Sequence, residues 1–488
     1  MLWGLLVPIG YLNFRSNVFA ERQMTRKLFG TDGVRGLAGE VLSAELALGL
    51  GRSATRLLGG ERPQVLVVRD TRESGPMLEA ALAAGIAAAG GDVLLGGVLP
   101  TAAVPLLVAR YGLQMGAVIS ASHNPYEDNG IKFFGSDGYK LSDEIEADIE
   151  RELAEHGGGV GGAREPASSS RRRDVDTRES ADRGASPRSI GRIRELRGAD
   201  EDYLRELHVR FVELDLDGLD VVLDCANGAT CRVAPEIFRR LGANVTTIGD
   251  VPDGRNINDG CGSTHLQTLA QHVVAGGHAL GFAFDGDGDR VLAVDRRGEL
   301  VDGDELLALA ALHLQRSGRL PGNGVAVTVM TNYGFHRAMD SAGVAVATTK
   351  VGDRYVLEEL RARGWTLGGE QSGHIIDLHF NRTGDGIASA LLTLEALAGG
   401  DLSDRGAMAR LPQRLVNVRV RDREALHNAN GVTAAVRAED QALAGRGRVL
   451  VRPSGTEPLV RVMVEAPTDA EAEDICTRLA ALVERELG

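Results

Sequence analysis

A serine, an imidazole and an ammonium are concentrated on one short stretch, Ala121-Ser122-His123-Asn124-Pro125 followed by Asn129-Gly130-Ile131-Lys132. A serine beside groups that carry protons is a candidate nucleophile. The same residue types build ordinary turns, so Ser122 needs a partner elsewhere in the chain. That partner is Asp285-Gly286-Asp287-Gly288-Asp289-Arg290, which follows the apolar run Leu280–Phe284 and is expected to begin where a buried strand ends. Three carboxylates alternate with glycines there, and close carboxylates repel one another unless a cation offsets them. Hard oxygen donors suit Mg²⁺, which keeps water and commonly takes a remaining position from a phosphate oxygen. A phosphorylated Ser122 could supply that oxygen. A calcium EF-hand opens similarly but requires Gly at its sixth loop position and Glu at its twelfth, where this chain has Arg290 and Arg296.

Lysine usage points the same way. The 54 basic residues include only four lysines, Lys27, Lys132, Lys140 and Lys350, and three of these lie in or beside the suspected site segments. Arginine does not release its proton in a protein, whereas a lysine whose pKa is lowered by burial or neighbouring cations serves as an acid or base. Lys132 is accordingly expected to be a lysine because it must deprotonate.

Three further clusters suit a phosphorylated sugar. In Gly30-Thr31-Asp32-Gly33-Val34-Arg35-Gly36 the glycines let backbone N–H groups approach an anion and Arg35 adds a fork of donors. Gly368-Gly369-Glu370-Gln371-Ser372-Gly373-His374 places a carboxylate and a hydroxyl on a glycine-rich loop, a pair that reads sugar hydroxyls. Arg452-Pro453-Ser454-Gly455-Thr456-Glu457-Pro458 follows a strand-like run at 448–451 and combines an arginine with two hydroxyls, a geometry for clamping a phosphate dianion.

The elements that must position these loops are read from the apolar pattern. Beta-rich runs at 65–69, 117–120, 221–223 and 325–330 alternate with Ala- and Leu-rich helical stretches, which implies α/β layers. At 488 residues the chain is long enough for several domains, each with its own core. Between about 157 and 188 the pattern gives way to Gly, Ser and Arg runs, expected to be a flexible linker or insertion. Gly157, Gly159 and Gly162 match a dinucleotide-binding pattern without the strand it needs, and no lysine follows a glycine, which excludes a P-loop. Residues 1–23 are too short an apolar segment to span a membrane and lack a basic signal start, so a disordered tail or a mis-assigned start is expected. A net charge of −14 argues against a nucleic-acid or anionic-membrane partner. Cys225, Cys231, Cys261 and Cys476 lack the spacing of a metal finger or disulfide scaffold, which points to a cytoplasmic location and to buried cysteines.

The segments Ser122-His123-Asn124-Pro125, Asp285 to Arg290, Glu370-Gln371-Ser372-Gly373-His374 and Arg452 to Pro458 occur in the order found in the α-D-phosphohexomutase superfamily, which the chain resembles over about residues 24–488. Within it, the opening Arg26 to Gly36, the run 119–134 and Gln371 are similar to the bacterial phosphoglucosamine mutases. The extension at the N-terminus and the expansion near 157–188 depart from the family pattern, both outside the motifs.

The resemblance implies three related α/β domains and a smaller C-terminal α+β domain around a central cleft, at 24–156, 191–298, 299–405 and 412–488, with 157–190 as the linker. It implies that Ser122 carries the transferable phosphate and that Ser122, Asp285, Asp287 and Asp289 hold Mg²⁺. Glu370, Ser372 and His374 would meet the sugar, and Arg452, Ser454, Gly455 and Thr456 the phosphate that does not react. Arg35 and Arg290 would steady the moving phosphoryl group, with His123 and Lys132 as acid/base candidates whose roles the sequence leaves open. The implied activity interconverts glucosamine 6-phosphate and glucosamine 1-phosphate through a 1,6-bisphosphate intermediate, with a small sugar phosphate as partner and a homodimer as the assembly. A phosphomannomutase/phosphoglucomutase is the neighbouring reading. A non-catalytic sugar-phosphate sensor, from another class, would be expected to have lost Ser122, an aspartate or Lys132, and all are present.

Overall fold

The computed structural model describes residues 28–30, 32–156, 190–454 and 458–488. The N-terminal extension and, apart from Ile190, the 157–190 insertion lie outside the described residues.

Four sheets follow one another along the chain. The first has seven strands, in the order Phe29–Gly30, Gly33–Leu37, Asp128–Gly135, Met115–Ile119, Gln64–Arg69, Asp92–Val98 and Ile193–Glu195. Val65, Leu66, Val67 and Val68 are all fully buried, because helices cover both faces of this strand. Val65 and Val67 face Ala44–Leu58 and Gly75–Ala88 on one side. Leu66 and Val68 face Ala103–Tyr111 on the other. A continuous apolar run is what a parallel strand buried on both faces requires. Ile193–Glu195 pairs in parallel with Asp92–Val98. The first sheet therefore extends beyond the expected boundary at 191, and the second unit starts with the helix Ala199–Arg210. Without this partner the edge strand's N–H and C=O groups would be left unpaired.

The second sheet has five strands, Leu300–Val301, Val291–Asp295, Leu280–Phe284, Asp220–Asp224 and Asn244–Ile248. The third has four, Ala345–Thr349, Gly324–Thr328, Leu367–Gly369 and Ile375–Asp377. The fourth is antiparallel, Gln413–Arg419, Leu459–Glu465 and Arg448–Pro453, covered by the helices Asn430–Leu443 and Asp469–Leu487. One connection recurs in the first three sheets. A strand with a parallel neighbour ends, a short loop follows, and the chain returns as the antiparallel neighbour, as in Met115–Ile119 to Asp128–Gly135, Leu280–Phe284 to Val291–Asp295, and Leu367–Gly369 to Ile375–Asp377. Each of these hairpin loops is one of the segments singled out from the sequence.

A single apolar core runs from Leu66 and Val118 through Leu223, Phe282 and Phe284 to Leu307, Val327 and Ile387, so the first three units share their packing. The fourth has its own, around Val460, Val462, Val464, Ile475 and Leu479. Among the described residues no helix is long and apolar enough to cross a membrane.

Asp385 ties the shared core together. It accepts from Ala388 N at 2.9 Å as the N-cap of the helix Gly386–Leu397, and from Tyr203 Oη at 3.0 Å and Asn381 Nδ2 at 3.2 Å. Burial pushes its carboxyl up from 3.8 to about 6, against the pull of these hydrogen bonds. A raised carboxyl binds its proton more tightly when folded, so its contribution is full below the ordinary value and lost as pH rises through about 6. The stability difference between the wild type and Asp385→Asn should fall between pH 4 and 6.5 and be flat above about pH 7, as measured by urea unfolding at a series of pH values.

Candidate active site

Ser122 sits just past the strand Met115–Ile119 and is 1% exposed. Its Oγ donates to Asp285 Oδ2 at 2.5 Å and lies 3.3 Å from His123 Nδ1. The serine loop and the aspartate loop therefore meet at one point. Gly286 makes that approach possible, since a Cβ on it would stand 2.5 Å from the carbonyl oxygen of Ser122.

One ligand oxygen from each of Asp285, Asp287 and Asp289 lies within 4.8 Å of the others, and all three residues are buried. Burial, then the neighbouring Asp289 and Asp287, holds the Asp285 carboxyl well above the usual carboxylate range. Burial acts on Asp289 in the same sense but is outweighed by His374, Lys132 and Arg290, so Asp289 lies well below that range. Asp287 Oδ1 and Asp289 Oδ1 are buried with no hydrogen-bond partner. Two orphaned carboxylate oxygens in a converging trio fit a small divalent cation with hard-oxygen preference.

Lys132 is 1% exposed, 2.9 Å from Asp287 Oδ2, 3.0 Å from Asp32 Oδ2 and 3.8 Å from Asp289 Oδ2. Burial alone would lower its proton affinity, but these carboxylates outweigh it and hold the ammonium above its usual range. The expectation of a lysine with lowered pKa is thus reversed by these three carboxylates. Lys140 repeats the arrangement, bonding Asp32 Oδ1 at 2.5 Å and Asp353 Oδ2 at 2.6 Å, and its proton affinity is also raised. His123 goes the other way. Burial, with Arg290 and Arg35 nearby, takes it down to about 4 and leaves its imidazole neutral at neutral pH.

These groups open onto a cavity of about 480 Å³. Asp32, Arg35, His123 and Lys140 line it from the first unit, Asp289 and Arg290 from the second, and Glu370, Gln371, Ser372 and His374 from the third. Glu370 Oε1 accepts from Gly352 N at 3.0 Å. His374 is 2% exposed and lies at the cavity floor, with Nδ1 3.7 Å from Asp289 and Nε2 accepting from Gly384 N at 3.2 Å. The fourth unit reaches this rim through Arg452, whose Nη2 is 3.7 Å from the sulfur of Met330, a cavity-lining residue. Ser454 is buried beside it, while Gly455 and Thr456 lie outside the described residues. Arg461 stands directly opposite Arg452 across the strand pair.

Backbone bonds stitch the loops together. Thr101 N donates to Asp287 O at 2.9 Å, Val291 N to Gly373 O at 3.1 Å, and Gly386 N to Gly288 O at 2.9 Å. Gly373, at φ 88°, allows the third contact surface, since a Cβ there would meet Val291 O at 2.1 Å. Sequence reasoning did not find Asp70, Arg72, Ser120, Asn258, Asp353 or Arg461. None lies in one of the candidate site motifs, and a buried arginine such as Arg72 carries no local signal apart from the polar Asp70-Thr71-Arg72 that follows an apolar run.

Profiles of the phosphoglucomutase/phosphomannomutase family match four segments: alpha/beta/alpha domain I at 26–157, domain II at 201–298, domain III at 302–414 and the C-terminal domain at 415–482. The phosphoglucosamine mutase of Moorella thermoacetica is 52% identical over 462 residues, 93% of this chain and 98% of its own. That of Geobacillus kaustophilus is 45% identical over 467 residues, 95% of this chain and 99% of its own. Among solved structures, a phosphoglucomutase/phosphomannomutase family protein from Burkholderia thailandensis superposes with a TM-score of 0.73 at 24% identity, covering 94% of this chain and 97% of its own. Aspergillus fumigatus N-acetylphosphoglucosamine mutase in complex with GlcNAc-6P and magnesium gives 0.63 at 18% identity, covering 94% and 96%.

The strained charge balance has a measurable consequence. A carboxyl raised by burial costs stability above its ordinary pKa, so in EDTA at pH 7 Asp285→Asn should melt at a higher temperature than the wild type. Added Mg²⁺ should raise the wild-type midpoint more than the variant's, because it binds only the native cluster. A variant that melts lower in EDTA would contradict this electrostatic account.

Proposed function

This chain belongs to the phosphoglucomutase/phosphomannomutase family and is a phosphohexomutase, an isomerase that works by phosphoryl transfer, and on that premise we propose that its substrates are glucosamine 6-phosphate and glucosamine 1-phosphate. Identity of 45–52% to phosphoglucosamine mutases over nearly the whole chain supports this choice of sugar. The observation that carries the mechanism is the 2.5 Å contact between Ser122 Oγ and Asp285 within a buried aspartate trio.

In the proposed cycle Ser122 begins as its phosphate ester. The 1-hydroxyl of glucosamine 6-phosphate attacks the phosphorus; the new O–P bond forms as the Ser122 Oγ–P bond breaks, and the hydroxyl proton leaves to a nearby base. His123, 3.3 Å from the Ser122 oxygen, and Lys132, beside the aspartates, are the groups that exchange these protons. Glucosamine 1,6-bisphosphate then turns over in the cleft, and Ser122 Oγ takes the phosphoryl group from carbon six, releasing glucosamine 1-phosphate. Asp285, Asp287 and Asp289 would hold Mg²⁺, which supplies positive charge against the transferring phosphoryl oxygens. Arg35 and Arg290, both lining the cavity, add fixed donors to the same group. Glu370 and Ser372 face sugar hydroxyls. Arg452, with Ser454, Gly455 and Thr456, grips whichever phosphate is not reacting. Arg461, opposite Arg452, adds a second positive charge at that grip.

Turnover of glucosamine, glucose and mannose 6-phosphates compared side by side with Mg²⁺ should favour glucosamine by at least about tenfold in kcat/KM, about 1.4 kcal/mol in the barrier. A tenfold preference for a neutral sugar would replace the substrate while leaving the chemistry intact. Ser122→Ala should lose at least about a thousandfold in kcat, because no other side chain can carry the phosphoryl group between half-reactions. Near-normal turnover in that variant would overturn the phosphoserine cycle.

A further inference from the structure

Ser122 adopts φ 55°, the left-handed conformation that a residue with a Cβ occupies only when its surroundings enforce it. The enforcing contacts lie on the side of the loop away from the substrate cavity. The Ser122 carbonyl accepts from Arg72 Nη2 at 3.0 Å and from Asn258 Nδ2 at 2.9 Å. The Asn124 carbonyl accepts from the same two groups, at 2.9 and 3.1 Å, and the Pro125 carbonyl from Arg72 Nη1.

The Ser122 amide is bound into the same network. It donates to Ser120 Oγ at 2.9 Å, Ser120 Oγ donates to Asp70 Oδ2 at 2.6 Å, and that oxygen also accepts from Arg72 Nε at 2.9 Å. Both polar backbone groups of the serine thus end on one ion pair whose side chains are completely shielded from solvent. Arg72 uses its planar fork to serve Asp70 and the carbonyls of Ser122, Asn124 and Pro125, a set that a point-charge ammonium cannot reach at once. Asn258 comes from the second unit, while Arg72 and Ser122 belong to the first. The clamp therefore spans the same boundary as the contact between Ser122 and Asp285.

We propose that Arg72 and Asn258 are positioning residues for phosphoryl transfer: by gripping the Ser122 and Asn124 carbonyls from two domains, they aim Ser122 Oγ at the aspartate trio. Neither side chain lines the cavity, so neither meets the sugar. This rests on the phosphoserine reading above. Positional error of about an ångström in a reacting group costs on the order of a hundredfold in rate, which sets the scale of the effect.

The test uses full-length enzyme with Mg²⁺. Asn258→Gly removes the amide while keeping the left-handed backbone that Asn258 itself adopts at φ 59°. Arg72→Lys keeps the charge and loses the fork. Each is phosphorylated with a hexose 1,6-bisphosphate, its Ser122 phosphate is counted by intact mass, and transfer to glucosamine 6-phosphate is followed in a single turnover per phosphorylated serine. The expected result is a transfer rate lowered about tenfold in Asn258→Gly and about a hundredfold in Arg72→Lys, with KM within about twofold of wild type. A merely structural role would lower the active fraction and leave the rate per phosphorylated serine unchanged. A rate within twofold of wild type in Asn258→Gly overturns the proposal, and that variant decides alone if Arg72→Lys does not fold. Wild type run in parallel separates the two readings. Should it prefer another hexose phosphate, the clamp is tested with that sugar; should its serine never take up phosphate, the phosphoserine reading falls and the clamp falls with it.

Discussion

Crowded negative charge is the constraint around which this site is built. Asp285, Asp287, Asp289, Asp70, Asp32 and Asp353 all lie within or beside one cleft, and four of the six are less than 5% exposed. Such a cluster persists only if positive groups are placed to match it. Lys132 and Lys140 both touch Asp32, and each continues to a further carboxylate, Asp287 for one and Asp353 for the other. An ammonium is compact enough to stand between two carboxylates, where a guanidinium would need room for a planar fork. That is the physical reason the chain, so sparing of lysine, uses it at these two positions. The same carboxylates raise the proton affinity of Lys132, where the sequence led us to expect it lowered.

The fold turns this electrostatic cluster into a working site by repeating one connection. Three times a strand with a parallel neighbour ends in a loop and returns antiparallel, and each time the loop carries chemistry: Ser122, the aspartate trio, and Glu370 with Ser372. The loops are then locked to one another by main-chain bonds from Thr101, Val291 and Gly386. One apolar cluster spans the first three units, so the elements that carry Ser122, the aspartate trio and Glu370 are packed against one another. The fourth unit has a separate core and meets the third through polar contacts that include Tyr333 N to Glu465 at 2.8 Å and Arg448 Nη2 to Thr331 O at 2.6 Å. A phosphate grip on an independently cored unit suits a reaction whose intermediate must turn over, because the grip can release without disturbing the aspartates.

Much of this was legible in the sequence because the signals were local. The apolar run ending at Phe284 followed by alternating Asp and Gly could hardly be anything but a strand feeding an acidic turn, and the structure bears that reading out. The strand signals at 65–69 and 221–223 match Gln64–Arg69 and Asp220–Asp224. What stayed hidden depends on contacts between distant residues. Arg72 reaches the carbonyls of residues fifty positions away, and Asn258 reaches one 136 positions away. Ile193–Glu195 is exposed along its whole length and has no apolar alternation, so only the unpaired edge of Asp92–Val98 assigns it to the first sheet. The sign of the shift at Lys132 was likewise out of reach, since it is set by Asp32 and Asp287, one hundred and more residues away on either side.

Arg452 and Arg461 show the same logic with opposite charge. They are direct cross-strand neighbours, an arrangement that opposes sheet formation when both partners are positive. Among the described residues neither makes an ion pair, although the chain carries 68 acidic residues against 54 basic ones, and Arg461 Nε is buried with no partner at all. Burial, with Arg461 alongside, lowers the proton affinity of Arg452. Two facing arginines without a carboxylate among the described residues would suit the phosphate grip proposed above. The aspartate trio is short of positive charge and this strand pair is short of negative charge. A divalent cation held by the trio would answer the first shortage, and a phosphate set against the two arginines would answer the second.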